Sequence, residues 1–124
     1  MANIALIIGA IYGLLAVLLG AFGAHALGDN LTAHMQGVWH TAEHYQFYHA
    51  LALLLVALLA RSGLASGLVT GAMVCFALGT LIFSGSLYWL ALSNTRWLGA
   101  ITPVGGVLLI VGWALLVGVA VTRM

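Results

Sequence analysis

Residues 40–61 read HTAEHYQFYHALALLLVALLAR, and they decide the fold. The first ten positions carry three histidines, a glutamate and two tyrosines; from Ala50 to Ala60 only Ala, Leu and Val occur. An apolar run without strand-like alternation does not suit a barrel. It satisfies its own backbone hydrogen bonds in lipid by becoming a helix. Crossing a hydrocarbon core of about 30 Å takes roughly 20 such residues.

Working outward, the chain offers four runs of this length: about 4–27, 42–60, 66–92 and 99–121. The fold expected is therefore all-α and polytopic. Residues 1–124 form a single membrane domain of four transmembrane helices in an antiparallel bundle. The links "ARSGLAS" and "SNTRWLG" are short, whereas "GDNLTAHMQGVWHT" (28–41) is longer. In it Leu31, Met35, Val38 and Trp39 fall on one helical face. That spacing predicts a short interfacial helix between spans one and two. "Ala24-His25-Ala26" looks like a signal cleavage site, but the preceding run is too long for a signal peptide and no Lys or Arg precedes it, so span one is expected to be retained.

Composition supports the membrane assignment. Of 124 residues, 65% are hydrophobic and 4% charged, and mean hydropathy is +1.21. A soluble domain carries about a quarter charged residues. With no lysine and a net charge of +1, the chain cannot neutralise phosphates as a nucleic-acid binder must. The lone Cys75 has no disulfide partner in the chain and reads as a small buried apolar residue. With four spans, Arg61 and Arg123 share one side, and Arg96, Asp29 and Glu43 the other. The excess of arginine predicts that both termini are cytoplasmic.

In lipid, close packing rather than hydrophobicity holds helices together. Sixteen glycines suit that need, including Gly9-x3-Gly13 and Gly67-x3-Gly71, with Gly20, Gly23, Gly79, Gly85, Gly105, Gly106, Gly112 and Gly118 adding smooth patches. They predict close helix approach, within one chain or between copies. "ITPVGG" reads as a helix start with Thr102 as cap and Pro103 in the first turn; a broken helix lining a pocket is the sharper alternative.

The polar residues of the spans gather at one depth. At about 1.5 Å per residue, His49 and Ser84 both lie roughly 10–12 Å below one membrane face. Tyr45, Gln46, Ser86 and Tyr88 lie shallower on that side, with His25 at the matching end of span one and Thr102 and Pro103 at the start of span four. Thr80, Ser84 and Tyr88 form one helical stripe, as do Tyr45 and His49. Burying histidine in lipid is costly without a partner, so His49 is expected to bond Ser84 or Tyr88. Such a cluster either locks the bundle or lines a vestibule for an ion, a proton or a lipid headgroup.

His40-Thr41-Ala42-Glu43-His44 matches the H-x-x-E-H pattern of inverted zinc hydrolases. A working zinc site also needs a third ligand and an open position, and no soluble mass is present to form a peptidase. His34, His40 and His44 are the candidates for Cu or Zn, and His25 with His49 for a bis-histidine haem; no cofactor is expected. Five histidines within 25–49 are also candidates for pH sensing. There is no phosphate loop, no GxSxG and no CxxC. Trp39, Trp89 and Trp97 read as interfacial anchors.

"GAFGAHAL" (20–27), "YQFYHALALL" (45–54), "ALGTLIFSGSLYWLAL" (77–92) and "TPVGGVLLIVGWAL" (102–115) together resemble the YgdD/YwdK-like family of small inner-membrane proteins, domain of unknown function 423. The resemblance runs through nearly the whole chain and implies a four-span bundle in the bacterial inner membrane, without an activity. The residues it carries over are His25, Tyr45, Gln46, His49, Ser84, Ser86, Tyr88, Thr102 and Pro103; His40, Glu43 and His44 are not in its pattern. The resulting expectation is a non-enzymatic accessory or assembly partner of a membrane complex, contacting lipid and other membrane proteins or its own copies. The alternatives are a small transporter or channel for a proton, ion or small solute, a metal- or haem-binding membrane protein, and last a membrane enzyme acting on lipid or quinone.

Overall fold

A computed structural model of the chain describes residues 1–27, 30–64 and 66–122. Asp29 and Arg123, on which the charge asymmetry partly rests, lie outside the described residues. Four helices follow one another: α1 (Ala2–Phe22), α2 (Ala33–Leu59), α3 (Gly67–Ser93) and α4 (Thr102–Thr122). π-helical turns at Gly23–Leu27 and Ala60–Leu64 extend α1 and α2, and a 3-10 turn at Arg96–Ala100 leads into α4. With these turns, all four are long and apolar enough to cross a membrane.

The helix ends follow from local chemistry. Thr32 sits in extended backbone and its hydroxyl accepts the Met35 N–H at 3.1 Å, capping α2. Ser66 does the same for Val69 at 3.4 Å at the start of α3. Helix α3 stops at Asn94, whose left-handed backbone (φ 54°, ψ 33°) ends the helix. The turn between α2 and α3 needs Gly63 at φ 93°. Across the same end of the molecule, Arg61 donates to the Asn3 carboxamide oxygen at 2.7 Å and ties the turn to the start of α1.

Residues 28–41 differ from expectation in one respect. Helix begins at Ala33, as the apolar spacing implies, but continues without a break into span two. At 1.5 Å per residue, 27 residues make a helix about 40 Å long, longer than the hydrocarbon core. No Gly–Pro signal or second cap interrupts it. The face of Leu31, Met35, Val38 and Trp39 is the inward one, and it packs on the protein rather than on the bilayer interface.

The helices pack mainly in chain order: α1 on α2, α2 on α3, α3 on α4, with α1 touching α3 only lightly. Glycines set the closeness. Gly9 lies against Ala50 O, and Gly79 and Gly105 bring the backbones of α3 and α4 together. The sequence matches therefore serve contacts within the chain at Gly9, Gly71, Gly79, Gly105 and Gly112, whereas Gly67 and Gly85 have open space before them. Cys75 is half-buried and unpaired rather than fully enclosed. The interior has two halves. Toward the α2–α3 turn it is apolar, built from Leu53, Val56, Ala57, Val69, Ala72, Met73, Phe76 and Val119. Toward the other end the buried residues include Gln46, Ser84 and Ser86.

Candidate functional site: a polar half of the bundle

The polar half is a set of hydrogen bonds that join the helices, most of them between successive ones. Gln46, only 5% exposed on α2, is its centre. Its amide nitrogen donates to the Tyr12 carbonyl on α1 at 2.9 Å, and its amide oxygen accepts from the Tyr88 hydroxyl on α3 at 2.7 Å. The Tyr12 hydroxyl donates in turn to the Ala77 carbonyl on α3 at 2.7 Å. Ser84 donates to the Ala42 carbonyl at 2.7 Å, closing α3 onto α2. Ser86 lies 2.6 Å from the Thr102 hydroxyl, which joins α3 to the start of α4. Each bond relieves a polar group of the cost of lying unpaired in hydrocarbon, and interhelical bonds of this kind contribute about 0.6 kcal/mol on average.

His49 has different partners from those expected. One ring nitrogen, Nδ1, lies 2.7 Å from the Tyr45 carbonyl one turn back, and Nε2 faces the Trp113 indole N–H at 3.0 Å. A carbonyl accepts and an indole N–H only donates. Both bonds form together in the neutral ring with its proton on Nδ1. Phe76 and Trp113 enclose the imidazole, with ring centroids 5.5 and 5.9 Å away. Neither Ser84 nor Tyr88 is its partner. A long side chain in a helix leans toward the N-terminus, so Trp113 reaches His49 from a deeper position in α4. Counting of Cα heights misses such a pair, and Trp113 was not among the expected site residues.

The remaining candidates divide. Tyr45 stacks on Phe83 at 4.6 Å and supplies its carbonyl to His49. Thr102 bonds Ser86 and reaches back to the Leu98 carbonyl at 3.2 Å, so its hydroxyl is engaged there and not in a cap. Pro103 is exposed in the first turn of α4, and α4 is unbroken after it; "ITPVGG" does start a helix, but Thr102 is its first residue and not its cap. His25 is exposed on the closing turn of α1 and does not join the network. It stands beside the region where Gly23 meets Trp39. His49 lies ten residues further along α2, about 15 Å away at helical rise. Both His49 nitrogens are engaged, so the ring offers no free ligand for a bis-histidine haem.

Trp39 is not an interfacial anchor. It is 3% exposed, fills the gap left by Gly23, and donates its indole N–H to the Leu19 carbonyl at 3.0 Å. Trp89 and Trp97 are each 66% exposed, as an anchor requires. His40 and His44 do share a face, their rings 6.1 Å apart, and His40 Nδ1 is 3.7 Å from Glu43 Oε2. His34 lies exposed toward Arg96 and Asn94, lining a pocket that includes neither of the other two histidines. Among the described residues no group of three or more His, Cys, Asp or Glu side chains is placed to hold a metal ion.

Fold and site together define a small, four-span helical membrane protein whose helices are cross-linked by buried polar side chains. The comparisons agree. Residues 19–106 match the family model described as protein of unknown function (DUF423), and the chain belongs to that family. A UPF0382 membrane protein of Staphylococcus epidermidis is 49% identical over 112 residues, covering 90% of each chain. The UPF0382 membrane protein YwdK of Bacillus subtilis is 48% identical over 116 residues, covering 94% of each. A Staphylococcus aureus relative with the same UPF0382 description is 46% identical over 112 residues. No solved structure matches the chain.

Proposed function

We propose that the chain is a non-enzymatic accessory or assembly subunit of the bacterial cytoplasmic membrane, both termini on the cytoplasmic side, that works by contact with other membrane proteins or its own copies. One observation carries this reading: the polar groups of the polar half mostly bond one another or backbone carbonyls across helix pairs. Groups so engaged serve as locks. A conduit needs sites that bind its cargo and release it. The absence of a nucleophile–base pair at recognisable spacing supports a non-catalytic role. The test is affinity capture at native expression in mild detergent, followed by native mass spectrometry. The expected result is a stoichiometric partner or a defined oligomer; a lone monomer with nothing bound overturns the reading.

A second reading, a small transporter or channel, is favoured by Thr80. Its hydroxyl is buried and has no hydrogen-bond partner among the described residues. It lines a groove of about 180 Å³ with Tyr12, Gln46, Ser84 and Tyr88. Proteoliposome flux that disappears in the folded His49→Ala, Ser84→Ala double variant supports this second reading, and unchanged flux removes it.

A further inference from the structure

Glu43 is an acidic side chain within a membrane span that the network above does not use. Its side chain is 22% exposed, and Oε2 is buried with no hydrogen-bond partner among the described residues. The other oxygen lies over Gly20 of α1, where a Cβ would approach it to 2.6 Å; the missing side chain makes room for the carboxylate. His40 Nδ1, at 3.7 Å, is beyond a hydrogen bond. The two described arginines are elsewhere: Arg61 bonds Asn3 at the far end, and Arg96 lines a separate pocket with Thr32 and Asn94.

The carboxylate borders a pocket of about 220 Å³ between α1 and α2, lined by Ala16, Val17, Glu43, His44, Phe47 and Tyr48. Val17, Phe47 and Tyr48 are 62%, 41% and 55% exposed on the outer surface of the bundle, so the pocket opens sideways toward lipid. Its depth follows from a neighbour. The carbonyl of Ala42 meets Ser84, nine residues before the end of α3 at Ser93, about 13 Å below that end. The Glu43 side chain leans back toward the start of α2, which brings its carboxylate near the boundary of headgroups and acyl chains.

We propose that this pocket binds the ammonium group of an amphiphile. The carboxylate supplies the counter-charge, and an intramembrane ionised group is stable only when paired. Phe47 and Tyr48 line the pocket, and aromatic rings attract organic cations. The apolar body of the ligand lies along Val17 and the exposed flank of α1. This goes beyond an accessory role and stands without it. Two sources share the chemistry: an aminophospholipid headgroup and a free amphiphilic amine.

The experiment uses the full chain in mild detergent. Native mass spectrometry compares retention of dioleoyl phosphatidylethanolamine with that of dioleoyl phosphatidylglycerol, which has no nitrogen, and separately titrates dodecyltrimethylammonium below its micelle concentration. The expected preference for the ammonium lipid is about tenfold, the size of one charge-assisted contact, and it vanishes in Glu43→Gln. A preference confined to the lipid assigns the site to a headgroup. Saturable dodecyltrimethylammonium binding without lipid preference, lost in the same variant, assigns it to a free amphiphile. Thermal unfolding checks that Glu43→Gln folds. Should it not, Val17→Phe fills the pocket from α1 with the carboxylate intact and must abolish the same preference. Equal retention of the two lipids together with no saturable ammonium binding, or a preference that survives both variants, overturns the proposal.

Discussion

Where α4 crosses α3 at Gly105, backbone meets backbone, and this contact yields a paired prediction. A Cβ on Gly105 would meet the backbone nitrogen of Phe83 inside any real contact distance, and Gly79 O and Phe83 Cα at 2.8 Å each. All three atoms are helix backbone, with no rotamer to change. Ordinary contact begins at 3.4 Å, so α4 would have to retreat by more than half an ångström. At the next position the nearest atoms to an added Cβ are on the Phe83 ring, at 3.7 and 3.8 Å. Overpacking a close contact costs about 1–3 kcal/mol. The helix-propensity gain of Ala over Gly, about 0.5–1 kcal/mol in water, is smaller here because helices separated in a bilayer remain helical. Gly105→Ala should therefore destabilise the protein by about 1–3 kcal/mol while Gly106→Ala is close to neutral. Reversible unfolding in mixed detergent–SDS micelles, followed by circular dichroism, measures both. Equal midpoints for the two variants would refute the α3–α4 crossing.

Three further outcomes follow from named contacts. In Gly23→Ala, an added methyl would collide with the Trp39 indole and displace it from the Leu19 carbonyl; the loss expected in the same unfolding assay is about 1–3 kcal/mol, and wild-type stability would contradict the buried position of Trp39. In Thr32→Ala the α2 cap is lost, at a cost of about 1 kcal/mol; hydrogen exchange should rise first at the amide of Met35, and unchanged exchange there would contradict the cap. Trp113→Phe keeps the ring packing on Phe76 but removes the donor to His49; the His49 ring resonances should shift and stability fall by about 0.6–1.7 kcal/mol, and unperturbed resonances would exclude the pair.

The spans were legible because a membrane imposes a length and a polarity that hydropathy reads directly. The expected limits 66–92 and 99–121 compare with Gly67–Ser93 and Thr102–Thr122. The limit that moved most is the start of α2. An amphipathic run joined in phase to an apolar one has no local stop signal, and Thr32 rather than a later residue provides the cap. Gln46, Ser84, Ser86, Tyr88 and Thr102 were legible as a group because depth in a bundle is nearly linear in residue number. Their pairing was not, because it depends on rotation about each helix axis and on side-chain reach. Trp113 meets His49 through reach alone. Tyr12, a lone hydroxyl in span one, gave no sign that its carbonyl and its hydroxyl would both serve the network. Trp39 had a readable signal: Gly23 on α1 leaves a gap, and a large aromatic ring fills it.

The central claim is that the buried polar side chains hold the helices together, with Gln46 joining α1, α2 and α3. A double-mutant cycle on Gln46→Leu and Tyr88→Phe, read by reversible unfolding, tests it most directly. The expected coupling between the two positions is about 0.6–1.7 kcal/mol, because each single variant already breaks the 2.7 Å bond. Additive effects from two folded single variants would contradict it.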